Sequence, residues 1–216
     1  MLEGKNITKS YGELQVLKNV NILVEKGEMV SIIGKSGTGK STLLHILGSL
    51  DHPDSGEIII DGKPITNLNQ KDLASFRNEK IGFVFQFHHL LAEFNAVENV
   101  CIPAFIKGIP KKDAEKEATR LLEYFGLKDR LTHKPSELSG GEQQRVAVAR
   151  SLINNPSIIF ADEPTGNLDN ETSDEMHQLF LSLKNDFNQT FIIVTHNEDL
   201  AMLSDRKLEM KDGILQ

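Results

Sequence analysis

The segment that most restricts the fold is Gly34-Lys35-Ser36-Gly37-Thr38-Gly39-Lys40-Ser41, which fits G-x-x-x-x-G-K-[ST]. Before it, Met29 to Ile33 is a short apolar run, and after it Thr42 to Leu47 has helical spacing. A loop of this kind needs a buried strand that hands the chain directly to a helix. Its glycines then let backbone N–H groups turn inward, and the helix N-terminus adds a positive dipole end. Phosphate is the ligand this suits. The loop from Gly34 to Thr42 would cradle it, with Lys40 reaching the β- and γ-phosphates and Ser41 ligating Mg²⁺.

The rest of the chain repeats the strand-and-helix theme. Gln15 to Val24, Glu57 to Asp61, Ile81 to Phe85, Ser157 to Ala161 and Thr190 to Val194 read as strands. Lys71 to Asn78, Gly141 to Ile153 and Asn170 to Asn185 read as helices, and the last residues as a short tail. Continuous apolar strands separated by helices imply a parallel sheet covered on both faces, hence an α/β fold. Residues 87 to 137 break the rhythm. They offer helices at Glu98 to Ile106 and Lys112 to Phe125, the second amphipathic and stopped by Gly126, but no buried strand. The expected organisation is a single domain, with a core of residues 1–86 and 138–216 and an inserted helical subdomain at 87–137.

Size and charge narrow the function. At 216 residues the chain is about one domain long, with room for an insertion. Its 31 acidic against 24 basic residues give a net charge of −7, which argues against a nucleic-acid partner, since that binding relies on Lys and Arg. Cys101 is the sole cysteine, so no intrachain disulfide is possible. Met1 to Lys5 carry no basic region leading into an apolar stretch, so no secretory signal is expected. No apolar run exceeds four residues, far short of the roughly twenty that a membrane-spanning helix needs.

Two further elements belong with the phosphate loop. Ile158 to Ala161 is an apolar run ending in Asp162-Glu163, and ligands of open α/β sheets sit outside the carboxyl ends of strands. Asp162 is expected to hold Mg²⁺ through water, and Glu163 to act as general base on the attacking water. His196, two residues past Val194, is at the end of another strand, where it can hydrogen-bond a γ-phosphate oxygen.

Leu138-Ser139-Gly140-Gly141-Glu142-Gln143-Gln144-Arg145, taken with Gly34 to Thr42, Gln86, Asp162-Glu163 and His196 in this order, resembles the ATP-binding subunits of ABC transporters over essentially the whole chain. The resemblance implies a P-loop core with an N-terminal antiparallel β part, and ATP with Mg²⁺ as ligands. It also implies that Tyr11 stacks on adenine and that Gln86 touches Mg²⁺ and the water. Ser139, Gly140, Gly141 and Glu142 would meet the γ-phosphate of a nucleotide held by a second copy of the chain, with Asp169 at the interface. Ser-Gly-Gly before a helix supplies free N–H groups for that task, and Ser139 can also cap the helix.

Three stretches narrow the resemblance further: Leu43 to Asp51, Phe87 to Val100 and Asp162 to Asp169 are similar to those of lipoprotein-releasing ATPases, whose relatives serve macrolide export and cell division. Ala92 and Asn95 stand where that group usually has Pro and Thr. The implied protein is a peripheral motor subunit on the cytoplasmic face of a bacterial inner membrane, with integral membrane permease subunits docked near Gln86 to Val100. The alternatives are a macrolide-export or division ATPase, a regulatory module without turnover, and a soluble ABC protein of translation or DNA repair. The last usually carries tandem cassettes or long coiled coils, and neither is present.

Overall fold

A computed structural model describes all 216 residues. Its centre is a six-stranded sheet in the order β10-β9-β3-β8-β7-β6. The strands are β3 (Met29–Ile33), β6 (Ile81–Phe85), β7 (Ile158–Asp162), β8 (Thr190–Val194), β9 (Arg206–Lys211) and β10 (Ile214–Leu215). Every pairing is parallel except β10 with β9. A second, antiparallel sheet holds β2 (Leu14–Val24), β1 (Leu2–Tyr11), β4 (Ser55–Ile60) and β5 (Lys63–Pro64) in that order.

The period of two along each strand sorts the core into two layers. Val30, Ile32, Phe160, Ile192 and Val194 pack with β1, β2, β4 and helix α1 (Lys40–Leu47). Met29, Ile159, Ala161, Phe191 and Ile193 point the other way, into α3 (Ala96–Ile106), α4 (Lys111–Tyr124), α5 (Gly140–Leu152) and α6 (Asn170–Phe187). Helix α2 (Gln70–Lys80) leads into β6, and the short α7 (Glu198–Met202) follows β8. No strand lies between Phe85 and Ile158.

The C-terminal tail corrects the sequence reading. It contains α7 and β9, and β9 extends the main sheet beside β3, pairing Val30 with Arg206 and Ile33 with Glu209. β9 reads Arg-Lys-Leu-Glu-Met-Lys and buries only Met210 fully, so its edge position hides the apolar signal. β1 was also missed. Its ladder with β2 is interrupted by three register shifts, and Asn6 takes φ 50°, which blurs the alternation.

Candidate functional site

Strand register builds the site. Phe85 pairs with Asp162, Asp162 with Val194, and Val194 with Ile32, so β6, β7, β8 and β3 end at one level. The residues just beyond those ends are Gln86, Glu163, His196 and the loop from Gly34. Four sequence motifs up to 162 residues apart thus meet at one sheet edge because four parallel strands finish together.

The phosphate loop is built to take an anion. Gly34, Gly37 and Gly39 have φ of 145°, 80° and 102°, a region that favours glycine. A side chain at Gly34 would also put Cβ 2.3 Å from the Met210 carbonyl oxygen. Gly39 is the N-cap of α1 and offers no side chain to the helix's first N–H groups, and the first turn has no acidic residue. The N–H groups of Gly37, Gly39, Lys40, Ser41 and Thr42 have no protein acceptor. Five unspent donors around a helix N-terminus fit a polyphosphate. Lys40 is buried, and its ammonium donates to the carbonyls of Gly34 at 2.8 Å and Lys35 at 3.0 Å. Lys35 and Thr38 close the loop through the Thr38 hydroxyl, which donates to Lys35 O.

A cleft of about 420 Å³ gathers Tyr11, Ser36, Gly37, Gly39, Lys40, Ser41, Thr42 and Glu163. The hydroxyl of Ser41, one of these residues, donates to Asp162 Oδ1 at 3.0 Å. Burial pushes the Asp162 carboxyl up, and the Ser41 hydrogen bond and the nearby His45 only partly offset this. Asp162 and Ser41 present adjacent oxygens but no cluster of three acidic, His or Cys ligands exists anywhere in the chain. That fits Mg²⁺, which takes one or two protein ligands and completes its shell with phosphate and water.

Glu163 lines the same cleft with φ 47°, an unfavourable backbone conformation for a non-glycine residue. Its amide donates to Val194 O at 2.9 Å, and its carboxylate faces His196 Nδ1 at 2.8 Å and accepts from the His196 amide at 3.2 Å. Gln86 donates through Nε2 to Asn167 Oδ1 at 2.9 Å, and Asn167 Nδ2 donates back to Gln86 O. It is thus tied to the loop after β7 and does not line the phosphate cleft.

Tyr11 stands at the mouth, half exposed. Its hydroxyl donates to Asp51 Oδ2 at 2.7 Å, and the Lys9 ammonium lies 5.2 Å from the ring centroid. The bond to Asp51 and burial raise the phenol's pKa. Burial opposes ionisation of Asp51, but bonds from Tyr11 and Lys9 outweigh it and hold that carboxyl below the usual range. Sequence reasoning missed Lys9 and Asp51, which orient the ring, because they are 42 residues apart and meet only across β1 and the turn after α1.

Ser139, Gly141 and Glu142 form a separate cleft of about 360 Å³ with Arg145, Thr172 and Glu175. It shares no residue with the first. Ser139 caps α5 with a capping box: its hydroxyl accepts from the Glu142 amide at 3.2 Å, while the Glu142 carboxylate accepts from the Ser139 amide at 2.8 Å. Gly140 lies beside Leu168 in this first turn. Asp169 caps α6, accepting from the Thr172 amide at 3.0 Å and hydroxyl at 2.9 Å.

One buried residue was not singled out from sequence. Gln144 is fully buried on α5 and donates to Pro164 O at 2.6 Å and Phe85 O at 3.3 Å, joining the ends of β7 and β6. An apolar groove of about 410 Å³ lies between α2, β6 and the ends of α3 and α5, lined by Leu50, Phe83, Phe85, Ile106 and Arg150 among others. Arg150 donates to the carbonyls of His88 and His89, pinning the segment after Gln86, whose Phe87, Leu91 and Phe94 are exposed.

A profile of the ABC transporter family matches residues 17–166, well over half of the chain. This chain belongs to the ABC transporter family. The cassette is 57% identical to the lipoprotein-releasing system ATP-binding protein LolD of Bacteroides fragilis over 99% of both chains. It is 59% identical to the LolD of Cytophaga hutchinsonii, over 100% of this chain and 98% of that one. Among solved structures it is similar to the ATP-binding cassette MJ0796, as a dimer in a post-hydrolysis state with ADP and Pi, at 42% identity and TM-score 0.91, covering 100% of this chain and 97% of that one. The fold is therefore that of an ABC ATPase, with the antiparallel β part and helical segments expected from sequence. No helix is long and apolar enough to cross a membrane.

Proposed function

We propose that the cassette is the ATP-hydrolysing subunit of a lipoprotein-releasing ABC transporter, peripheral to the cytoplasmic face of a bacterial inner membrane. The supporting observation is the division of anion chemistry between two clefts in one chain: one joins the phosphate loop to Glu163, the other has a helix N-terminus but no phosphate loop. Two copies facing each other would complete two sites at once. The cargo is inferred from relatives named for lipoprotein release.

In this reading the residues have the following work. The loop N–H groups of Gly34 to Thr42 and the Lys40 ammonium bind and orient the β- and γ-phosphates, and Tyr11 stacks on the adenine. Ser41, Asp162 and Gln86 would hold Mg²⁺, which would neutralise charge on the phosphate oxygens. Glu163 takes the proton of the attacking water, with His196 beside it on the γ-phosphate. Ser139, Gly140 and Gly141 of the second copy close over the γ-phosphate, with the Glu142 carboxylate held back in the capping box, and Asp169 lies at the seam. Gln86 lets go of Asn167 to reach its place. Residues 87–137 form the arm inserted into the core, and its exposed Phe87, Leu91 and Phe94, next to the apolar groove, suit a permease segment.

Glu163→Gln tests the base: hydrolysis should fall by at least about 100-fold with ATP affinity retained. A parental rate would remove the role. Gentle purification from the native membrane tests the cargo. A lipoprotein-releasing permease should accompany the cassette, and a drug-export or division partner would overturn that part.

A further inference from the structure

The cleft that is to receive a phosphate carries two carboxylates, Glu142 and Glu175. Each is matched by one arginine. Arg145 of α5 pairs with Glu175 of α6. Glu142 is met by Arg130, whose Nε donates to Glu142 Oε1 at 2.9 Å from the helical turn Lys128–Arg130. That turn is held in place from both sides. Its Arg130 amide donates to Leu127 O at 2.9 Å, and the loop after it is strapped to the start of α3, with Ala96 N on His133 O at 2.9 Å and Val97 N on Leu131 O at 3.1 Å.

Glu142 cannot simply swing away, because its other oxygen accepts the Ser139 amide in the capping box. It sits in the first turn of α5, beside the N–H groups of Gly140 and Gly141, which have no protein acceptor. A carboxylate there stabilises the free helix, since it complements the dipole. The same charge repels an incoming phosphate unless a cation cancels it. As a bare surface ion pair, with Arg130 41% exposed, the contact would add little to folding stability. Its effect belongs to the anion site.

We propose that Arg130 is a positioning residue of the α5 half-site: it neutralises and fixes Glu142, so that the helix N-terminus still attracts the γ-phosphate presented by a second copy of the chain. This rests on the two-copy site proposed above.

The test uses the Glu163→Gln background, in which ATP should assemble dimers that do not turn over. Sedimentation velocity gives the ATP concentration for half-assembly. Arg130→Gln should raise that concentration about tenfold or more, as expected for an uncompensated like charge at an interface. Adding Glu142→Gln to Arg130→Gln should return it to within about threefold, because the charge needing compensation is gone. Binding of a fluorescent ATP analogue to the dilute single chain should be equal in all three. Arg130→Lys keeps the charge without the planar fork and should fall between parent and Arg130→Gln. Assembly of Arg130→Gln at the parental ATP concentration, or no rescue by Glu142→Gln, would overturn the proposal. Failure of the Glu163→Gln parent to dimerise would instead bring down the two-copy site, and Arg130's role with it.

Discussion

Two helix N-termini in this chain, both assigned above to the γ-phosphate, are built in opposite ways. At α1 the cap is Gly39, which brings no side chain, and the first turn has no acid. At α5 the cap is Ser139, reciprocated by Glu142, so part of the helix end is satisfied before any ligand arrives. The first end supplies five free N–H groups and a buried ammonium. The second supplies two N–H groups and a compensated charge. An uncapped end can bind alone, whereas a capped one can only supplement a phosphate already held elsewhere. The contrast suits a cassette in which one half-site captures ATP and the other senses it.

Lys40→Ala should break the contrast from the strong side. Loss of a buried charged donor to phosphate is worth about 1.5–3 kcal/mol, so ATP affinity of the single chain should fall by roughly 10- to 150-fold in calorimetry. Unchanged affinity would mean that the loop N–H groups suffice without the ammonium.

Gly141→Ala acts on the weak side. Its Cβ would come 2.4 Å from Thr172 Cγ2, a side chain itself held by Asp169, so the α5 cradle must shift. ATP-driven dimerisation should weaken about tenfold, the scale set by small misplacements of an interface anchor. Affinity of the single chain for ATP should not change. A fall in that affinity would show that the two clefts are not independent.

Ser139→Ala should cost about 1 kcal/mol through the lost cap, lowering Tm by roughly 2–4 °C for a chain of this size. Differential scanning calorimetry reads this directly. A smaller effect still comes from pH. Hydrogen bonding to the Ser139 amide, helped by Arg130, holds the Glu142 carboxyl below its ordinary value of 4.5. The folded value is the depressed one, so this stabilisation is present above about pH 4.5 and is lost as pH falls through the lower, folded value. The stability difference between the parent and Glu142→Gln should therefore shrink on acidification below that point, and a constant difference would sever Glu142 from its cap.

What could be read from the sequence was local. The eight residues from Gly34 to Ser41 carry their strand, turn and helix start together, and Asp162-Glu163 follows directly from an apolar run. Legibility ended where a contact needed tertiary geometry. Arg130 reaches Glu142 only because a helical turn and the α3 straps aim it, and Gln144 joins β6 and β7 only once both strands lie beside α5. Gln86 was assigned to Mg²⁺ from the resemblance, but here its amide is bonded to Asn167. β9 was hidden for a different reason: an edge strand buries one side chain fully and looks polar.

That the two clefts share no residue has a genetic consequence. If two copies share their sites as proposed, then in mixed dimers of one chain damaged in the phosphate loop and one damaged in the α5 cradle both lesions fall in one composite site, and the other is made from intact halves. Two impaired alleles, such as Lys40→Ala and Gly141→Ala, should therefore partly restore ATP turnover to each other when co-expressed. In a mixed dimer of wild type with a chain carrying both changes, one half of each composite site would be spoiled and neither would be intact.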